Sequence, residues 1–245
     1  NMELELLDPI PGGYMAFYRT APTLGPNSGY EVRLFSCTGL TLVALPLNQF
    51  LSRRDRLEVQ DIRYADGTLY FNEACQSYSR EAGGRCSSLL AVEPLSRRVL
   101  WRTPPLTSNN VISVVGQHIV VGYGFTAESD WLRVVRRSDG RILDRESLPT
   151  THFDLNVRGS VLDVEVGGKW MMFQMNGFAT PSASLTPLGS RPAPTASQAP
   201  ARAPRARTPA PQVVPWPALP AAPTWTVPAL PWPPAASLAP WFPAR

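Results

Sequence analysis

One motif, a turn followed at once by a strand-like run, recurs along the first 178 residues and constrains the fold more than any other feature. Copies of it start at Gly12, Asp66, Gly116 and Gly167, at intervals of about 50 residues. Each continues into alternating or continuous apolar and β-branched residues, which are typical of strands. No segment of this region has a helical period. The sequence therefore predicts a repeated all-β unit of about four short strands.

The end of each unit repeats as well. Strand-like runs flank a tight turn in Val32–Leu40, Ser88–Trp101 and Trp131–Leu143. Thr38–Gly39 and Asp139–Gly140 are turn sequences, because glycine adopts positive φ without steric cost. The pattern predicts an antiparallel hairpin at the end of each unit.

The stretch from Ala91 to Trp101 resembles the repeat of pyrroloquinoline-quinone-type propellers, which reads Ala-x-Asp-x-x-Thr-Gly-x-x-x-Trp. Here Glu93 stands at the acid position, Ser96 at the threonine position and Arg97 where glycine is usual. The neighbouring units keep the turn but lack the final tryptophan, with Thr38, Gly39, Asp139 and Gly140 as the matching residues.

The resemblance implies a β-propeller-like arc of about three and a half four-stranded antiparallel blades. In such a blade the tryptophan at the end of one strand fills the gap between twisted neighbouring sheets, which is the role implied for Trp101. A propeller ring usually contains four to eight blades. We therefore expect an incomplete ring, which a second chain or an oligomer completes.

Composition changes abruptly near Phe178. Most prolines lie beyond Ala179, and no Asp or Glu follows Glu165. We expect a partial propeller-like domain over residues 1–178 and a disordered Pro/Ala/Trp-rich tail over 179–245, because proline removes backbone donors. The tail is either an extended arm, with Trp216 and Trp232 as contact points, or an out-of-frame translation.

The three cysteines bear on location. Cys75 and Cys86 flank a polar loop between two strand-like segments, so a hairpin would bring them close enough for a disulfide. The alternative is two unrelated buried thiols. A disulfide favours a periplasmic or extracellular protein, although the chain as given has no signal peptide. We expect Cys37 to be a small core residue.

Charge and hydropathy weigh against two classes of partner. Arginines are mostly interspersed with acids, and only two groups approach a basic cluster, Arg136–Arg137 and the tail arginines 202, 205 and 207. We therefore expect no nucleic-acid binding. No stretch reaches the roughly 18 apolar residues that a membrane-spanning helix needs.

No catalytic constellation is recognisable, so we expect no catalytic, cofactor-binding or metal-binding residues. There is no Gly-x-Ser-x-Gly motif and no Cys-x-x-Cys pair. Only two histidines occur, His118 in a strand-like run and His152 near Asp154, and two ligands do not make a metal site. We interpret four acids as turn or hairpin residues, namely Asp61, Asp66, Glu73 and Glu81.

Dehydrogenases of the resembled family hold a quinone and a calcium ion. This chain has no adjacent cysteine pair and too few blades to enclose the cofactor, so the resemblance points to the noncatalytic branch of scaffold lipoproteins and sensor domains. We expect an exported binding or scaffold module that recognises a protein or ligand through its blade loops. The alternatives are a fragment of a quinoprotein-like enzyme and a truncated or frameshifted product without independent function.

Overall fold

Alternating apolar residues and turn glycines fold the chain into antiparallel sheets. The structure, a computed structural model, describes residues 2–20, 29–52, 57–125 and 127–192. The strand pairs of this part are all antiparallel, and each sheet is built from strands that follow one another in the chain. The predicted all-β, propeller-like arc is therefore confirmed.

Four sheets make up the arc. Sheet 1 contains β1 (Met2–Ile10), β2 (Gly13–Thr20), β3 (Tyr30–Ser36) and β4 (Thr41–Pro46). Sheet 2 contains β5 (Leu57–Glu58) and β6 (Ile62–Ala65), which both pair with β7 (Thr68–Cys75), then β8 (Ser88–Glu93) and β9 (Arg98–Arg102). Sheet 3 contains β10 (Asn109–Val115), β11 (His118–Tyr123), β12 (Asp130–Arg136) and β13 (Ile142–Leu148). Sheet 4 contains β14 (His152–Arg158), β15 (Val161–Val166), β16 (Lys169–Asn176) and β17 (Ser184–Pro192). Two short 3₁₀ turns lie at Leu47–Phe50 and Ser79–Ala82.

Two strands lie outside the segments that the sequence predicts. β1 precedes Gly13 and is largely exposed, and β17 lies beyond Ala179 in the stretch that composition assigns to the tail. Both are edge strands, and an edge tolerates exposed polar residues and proline because one row of its backbone groups needs no partner. Together they bring the arc to four sheets. The rest of the predicted tail, with Trp216 and Trp232, lies outside the described residues.

In sheet 2, β5 and β6 both pair with β7 and together take the place of a first strand. With that numbering, the turn between the first and second strands carries a glycine with positive φ in every sheet. These glycines are Gly12, Gly67, Gly116 and Gly159, with φ values from +57° to +80°. Gly167 also has positive φ, but it lies in the next hairpin, between β15 and β16. The predicted alignment of Gly167 with the other three copies is therefore wrong, since the equivalent turn in sheet 4 contains Gly159. The error arose because both of these hairpins carry a turn glycine.

The predicted hairpin between the third and fourth strands is present in sheets 1, 2 and 3. Each turn has a residue in the left-handed region, namely Gly39, Arg97 and Gly140. Each hairpin also has a register shift just beyond the turn, as a bulge next to a left-handed residue produces. Cys37 lies in the first of these turns and is exposed, so the expectation that it is a core residue was wrong.

The core lies between neighbouring sheets. One buried cluster joins sheets 1 and 2 around Phe17 and Phe71, and another joins sheets 2 and 3 around Tyr70 and Val121. The third, around Phe173, joins sheets 3 and 4. Among the described residues no cluster joins sheet 4 to sheet 1, so the arc is not closed. No helix in this part of the chain is long and apolar enough to cross a membrane.

Candidate functional site

The predicted disulfide is present and shapes one end of the arc. Cys75 ends β7 and bonds to Cys86, with the two Cα atoms 5.0 Å apart. Cys86 lies just before β8, so the bond closes the loop that joins the second and third strands of sheet 2. Both half-cystines are buried in a small cluster with Leu57, Ala82 and Leu106. The loop is therefore anchored at its base by a covalent bond and by apolar packing.

Hydrogen bonds to Glu128 connect this loop to sheet 3. The backbone N–H and the hydroxyl of Ser79 donate to Oε1 of Glu128, at 2.7 and 2.9 Å. Tyr123 donates its hydroxyl to the other carboxylate oxygen of Glu128. Burial, followed by this hydrogen bond, raises the pKa of Tyr123 to about 12, so the phenol stays protonated and donates over the physiological range. Glu128 thus holds the disulfide loop against the loop that follows β11.

Between these loops lies an apolar cavity of about 290 Å³. It is lined by Gln76, Ser77, Tyr78, Phe125, Thr151 and Phe153. The rings of Tyr78 and Phe125 meet edge to face at 6.0 Å. Phe153 is 63% exposed, which is unusual for so large an apolar side chain. We call this feature the aromatic cavity.

A polar cleft of about 350 Å³ adjoins it and shares Phe153. Its other lining residues are Arg19, Glu58, Gln60, Asp61, Asn110 and Val111. Burial raises the pKa of Glu58, and it raises that of Asp61 to about 6 despite the opposing charge of Arg63. Oε2 of Glu58 accepts no hydrogen bond from a described residue. The cleft can therefore exchange hydrogen bonds with polar groups of a ligand that occupies the cavity next to it.

The backbone at the rim of the cleft is strained. Asn110 has a φ of +57°, in the left-handed region that a non-glycine residue rarely adopts. Three bonds hold it there: its N–H donates to Gln60 at 2.7 Å, its carbonyl accepts from Asn72 at 2.8 Å, and its side chain donates to the His152 carbonyl at 3.2 Å. Backbone conformations of this kind, held in place by several neighbouring groups, are common at binding sites.

One acid that we interpreted as a turn or hairpin residue, Glu73, is instead buried on β7, whereas Asp61 is half-buried in the short connection between β5 and β6. Asp61 accepts from the backbone N–H of Ile112 at 2.7 Å and so joins sheet 2 to sheet 3. Glu73 is buried, forms an ion pair with Arg102 and accepts from the N–H of Ser52 at 3.0 Å. Sequence reasoning missed the burial of Glu73, because an acid in a strand gives no signal of the sheet that packs on it. Asp66 does lie in a turn, where Arg137 reaches it at 2.9 Å.

The histidines do not form a metal site. His152 is buried, with its ring against the Cα of Gly122, whereas Asp154 is exposed. A register shift between the two residues places their side chains on opposite faces of β14. His118 is also buried, and its ring contacts Phe178. No group of three His, Cys, Asp or Glu side chains suited to a metal ion occurs in the described part of the chain.

The residues of the propeller-type motif lie away from this end. Ala91 and Glu93 are on β8, and Ser96 is in the turn that follows, where its hydroxyl donates to Glu93. Trp101 on β9 reaches sheet 3, where its indole N–H donates to the Arg137 carbonyl at 2.8 Å. The placement of Trp101 matches a residue that fills the gap between two blades.

Comparison with known proteins gives likeness of fold only. No protein-family model matches the chain, and no curated protein matches it. Many solved structures are similar in fold, among them three of low sequence identity. BamB from Moraxella catarrhalis is 11% identical, with a TM-score of 0.46 over 76% of this chain and 48% of that one. The β-propeller domain of the Trilobed protease from Pyrococcus furiosus, described as having an open velcro topology, is 7% identical, with a TM-score of 0.45 over 70% of this chain and 54% of that one.

The third similar structure is a complex of KlAtg21 with the coiled coil of AgAtg16. It is 7% identical, with a TM-score of 0.41 over 79% of this chain and 72% of that one. The chain thus spans about half the length of the first two proteins. The fold assignment itself rests on the four antiparallel sheets described above, three of four strands and one of five.

Proposed function

We propose that the chain is a noncatalytic, exported propeller-type module that binds a protein ligand through the loops at its disulfide-bearing end. The observation that carries the proposal is the aromatic cavity. Exposed aromatic side chains around a concave apolar surface are typical of protein-recognition sites, because they bury a large area at low cost in side-chain entropy. Phe153 is the exposed member of that set.

Rigidity of the surrounding loops supports the same function. The Cys75–Cys86 bond and the Glu128 hydrogen bonds hold the two loops that line the cavity. A site whose walls are already ordered loses little entropy when a ligand binds. The polar cleft next to the cavity supplies groups that can bond to the backbone of a bound peptide, and so orient it.

Export is supported by the disulfide. Such bonds persist in the periplasm and outside cells, whereas cytosolic thiols are kept reduced. The propeller-type resemblance of Ala91–Trp101 points the same way, since its noncatalytic branch includes scaffold and sensor domains outside the cytoplasm. We therefore propose a periplasmic or extracellular location.

A peptide-display selection tests the proposal. A random peptide library is selected on the immobilised full chain, and the enriched peptides are titrated into wild-type protein and the Phe153→Ala variant. We expect Phe153→Ala to weaken binding at least about tenfold, because truncating a central aromatic anchor costs more than 1 kcal/mol. Leu188→Ala is the matched control, since Leu188 is exposed to a similar degree on β17.

Two results would contradict the proposal. One is a library from which no peptide is enriched on the wild-type protein. The other is a set of peptides that bind Phe153→Ala as tightly as wild type.

A further inference from the structure

The outer face of sheet 1 occupies the position at which every other sheet packs on the sheet before it. In sheets 2, 3 and 4, the second and fourth residues after the first turn lie on the second strand and are buried against the preceding sheet. These residues are Leu69 and Phe71 in β7, Ile119 and Val121 in β11, and Leu162 and Val164 in β15. Tyr14 and Ala16 of β2 hold these positions in sheet 1. No described sheet packs on this face, where Tyr14 is exposed and the small Ala16 is buried.

This face is apolar. Leu4, Leu7 and Tyr14 are 53%, 56% and 46% exposed. The register of β1 on β2 sets Leu4 beside Tyr18 and Leu7 beside Ala16, so these side chains form one continuous patch. Contiguous apolar patches on a sheet face mark interaction sites, because soluble proteins rarely leave them open to water. We call this patch the outer face of sheet 1.

The opposite end of the arc has a different chemistry. On the outer face of sheet 4, Asp163 stands where the other sheets present an apolar residue to the next sheet, namely Met15, Tyr70 and Val120. Asp163 is buried beneath two arginines, paired with Arg158 and lying 3.5 Å from Arg191. A polar outer face of this kind caps terminal units of repeat proteins. It does not suit the apolar outer face of sheet 1, because packing the two together would desolvate these charged groups against side chains that cannot hydrogen-bond to them.

Self-association through sheet 1 desolvates fewer charged side chains. On the outer face of sheet 1 the charged side chains of the described residues are Glu31 and Arg33, which pair with each other at 2.5 Å. The face therefore carries no net charge, and two copies of it do not repel. Antiparallel sheets pack face to face at about 10 Å, so one flat apolar face suits another.

The size of the face is adequate. Four strands about 4.8 Å apart and about seven residues long cover about 450 Å² in flat projection. The accessible area of a face covered with side chains exceeds its projection. It is thus of the order of the roughly 800 Å² per partner that a stable interface buries.

We propose that the outer face of sheet 1 is a dimer interface with a second copy of this chain, packed sheet 1 on sheet 1 about a two-fold axis. Such an interface is self-complementary, so it closes at two copies and leaves both sheet 4 caps and both aromatic cavities open.

Sedimentation velocity of the full chain across about 1–100 μM tests the proposal, a range that spans typical weak-dimer affinities. We expect wild type to be dimeric at the upper end and Leu7→Lys to raise the dimer dissociation constant at least about tenfold. Because Leu7 is exposed, we expect the thermal unfolding midpoint of the Leu7→Lys variant to stay at the wild-type value. Leu188→Lys on sheet 4 is the matched control and remains dimeric.

A charge exchange adds a second, independent test. Arg33→Glu places two like charges on the face and shifts the protein to monomer, whereas the double variant Glu31→Arg/Arg33→Glu restores both neutrality and the dimer. A wild-type chain that stays monomeric at the highest concentration would overturn the proposal. So would an open series of oligomers, or a dimer that Leu188→Lys breaks and Leu7→Lys does not, because these require sheet 4 in the interface.

Discussion

At the scale of single residues, the third-to-fourth-strand turns show why the propeller-type motif usually has glycine before its tryptophan. The turn residue in each of three sheets is left-handed, and in sheet 2 it is Arg97, with a φ of +57°. An L-residue with a side chain is strained in that region by about 1–2 kcal/mol, whereas glycine is not. The substitution of Arg for Gly is thus a local cost that the rest of the hairpin overcomes.

Arg97→Gly is therefore expected to stabilise the protein by about 1 kcal/mol, since the relieved strain exceeds the extra chain entropy of glycine. Urea unfolding monitored by circular dichroism measures the change. Leu95→Gly, at an exposed position beside the same turn, is the control and should not stabilise. A lower unfolding free energy for Arg97→Gly would contradict this account of the turn.

His152 makes stability depend on pH. Burial lowers its pKa to about 4 from an ordinary 6.5, so the folded protein keeps the ring neutral while the unfolded chain binds a proton near pH 6.5. The contribution of His152 to stability is fully present above pH 6.5 and is lost as the pH falls towards 4. The loss amounts to about 3 kcal/mol.

His152→Asn removes this dependence. We expect the difference in unfolding free energy between wild type and the variant to shrink by about 2–3 kcal/mol between pH 8 and pH 4.5. The raised pKa of Asp61 acts in the opposite direction, but it acts in both proteins and cancels in the difference. Parallel pH profiles for the two proteins would show that His152 is not buried in neutral form.

At the scale of elements, contacts between sheets are made by a few side chains that leave their own strand. Trp101 is the clearest case, because its ring packs on Gly140 in the next sheet and its N–H bonds to Arg137. A Cβ at position 140 would lie 2.6 Å from the Trp101 ring. The glycine of one hairpin therefore makes room for the tryptophan of the hairpin before it.

We expect Trp101→Ala to lower the free energy of unfolding by about 3 kcal/mol, the cost of deleting a large aromatic from a packed interface. Trp101→Phe, which keeps much of the ring packing but loses the hydrogen bond to Arg137, is the matched comparison and should lose about 1–2 kcal/mol. Chemical denaturation gives both values. Equal losses in the two variants would mean that packing between the sheets is not what Trp101 supplies.

The disulfide is the second element-scale device. Cys75 and Cys86 are 11 residues apart, and closing a loop of that length stabilises a protein by about 3 kcal/mol in the chain-entropy model. Cys75→Ser/Cys86→Ser is therefore expected to lower the unfolding free energy by that amount and to abolish its sensitivity to reductant. Cys37→Ser is the control, because Cys37 is exposed and forms no disulfide. A wild-type stability unchanged by dithiothreitol would contradict the prediction.

At the scale of the whole molecule, the arc is a one-dimensional stack in which each sheet packs on its neighbours. Stability in such an arrangement is close to a sum of sheet and interface contributions. The two ends differ, since the outer face of sheet 1 is apolar and that of sheet 4 is capped by Asp163 and its arginines. This asymmetry is what makes one end a docking surface.

The end of the folded region is testable by truncation. Leu185 on β17 is buried in the cluster that contains Phe173 and Met175, so a chain that stops at Phe178 leaves that cluster uncovered. We expect this chain to lose about 3 kcal/mol or more, while a chain that stops at Pro192 keeps the thermal unfolding midpoint of the full protein. Equal stability of the two truncated chains would place the boundary at Phe178, where composition predicts it.

The sequence alone determined the all-β class, the repeated unit of about four strands and most of the hairpin turns, and it made a Cys75–Cys86 disulfide plausible. These depend on local patterns: a period of two, a turn residue that allows positive φ, and two cysteines across a hairpin. The sequence did not reveal β1 or β17, because edge strands need little apolar alternation. It also assigned Glu73 and Cys37 to the wrong environments.

Only the tertiary structure decided which side chains meet. The aromatic cavity gathers residues from two loops and from the beginning of β14, which are far apart in the chain. The burial of the acids depends on the sheet packed against them, and the difference between the two ends of the arc depends on which face each sheet buries. Strand alternation sets two faces, but it does not state which neighbour each face meets. The proposed binding site and the proposed dimer interface both depend on how the sheets stack on one another. The strands and turns of each sheet, by contrast, follow from local sequence patterns.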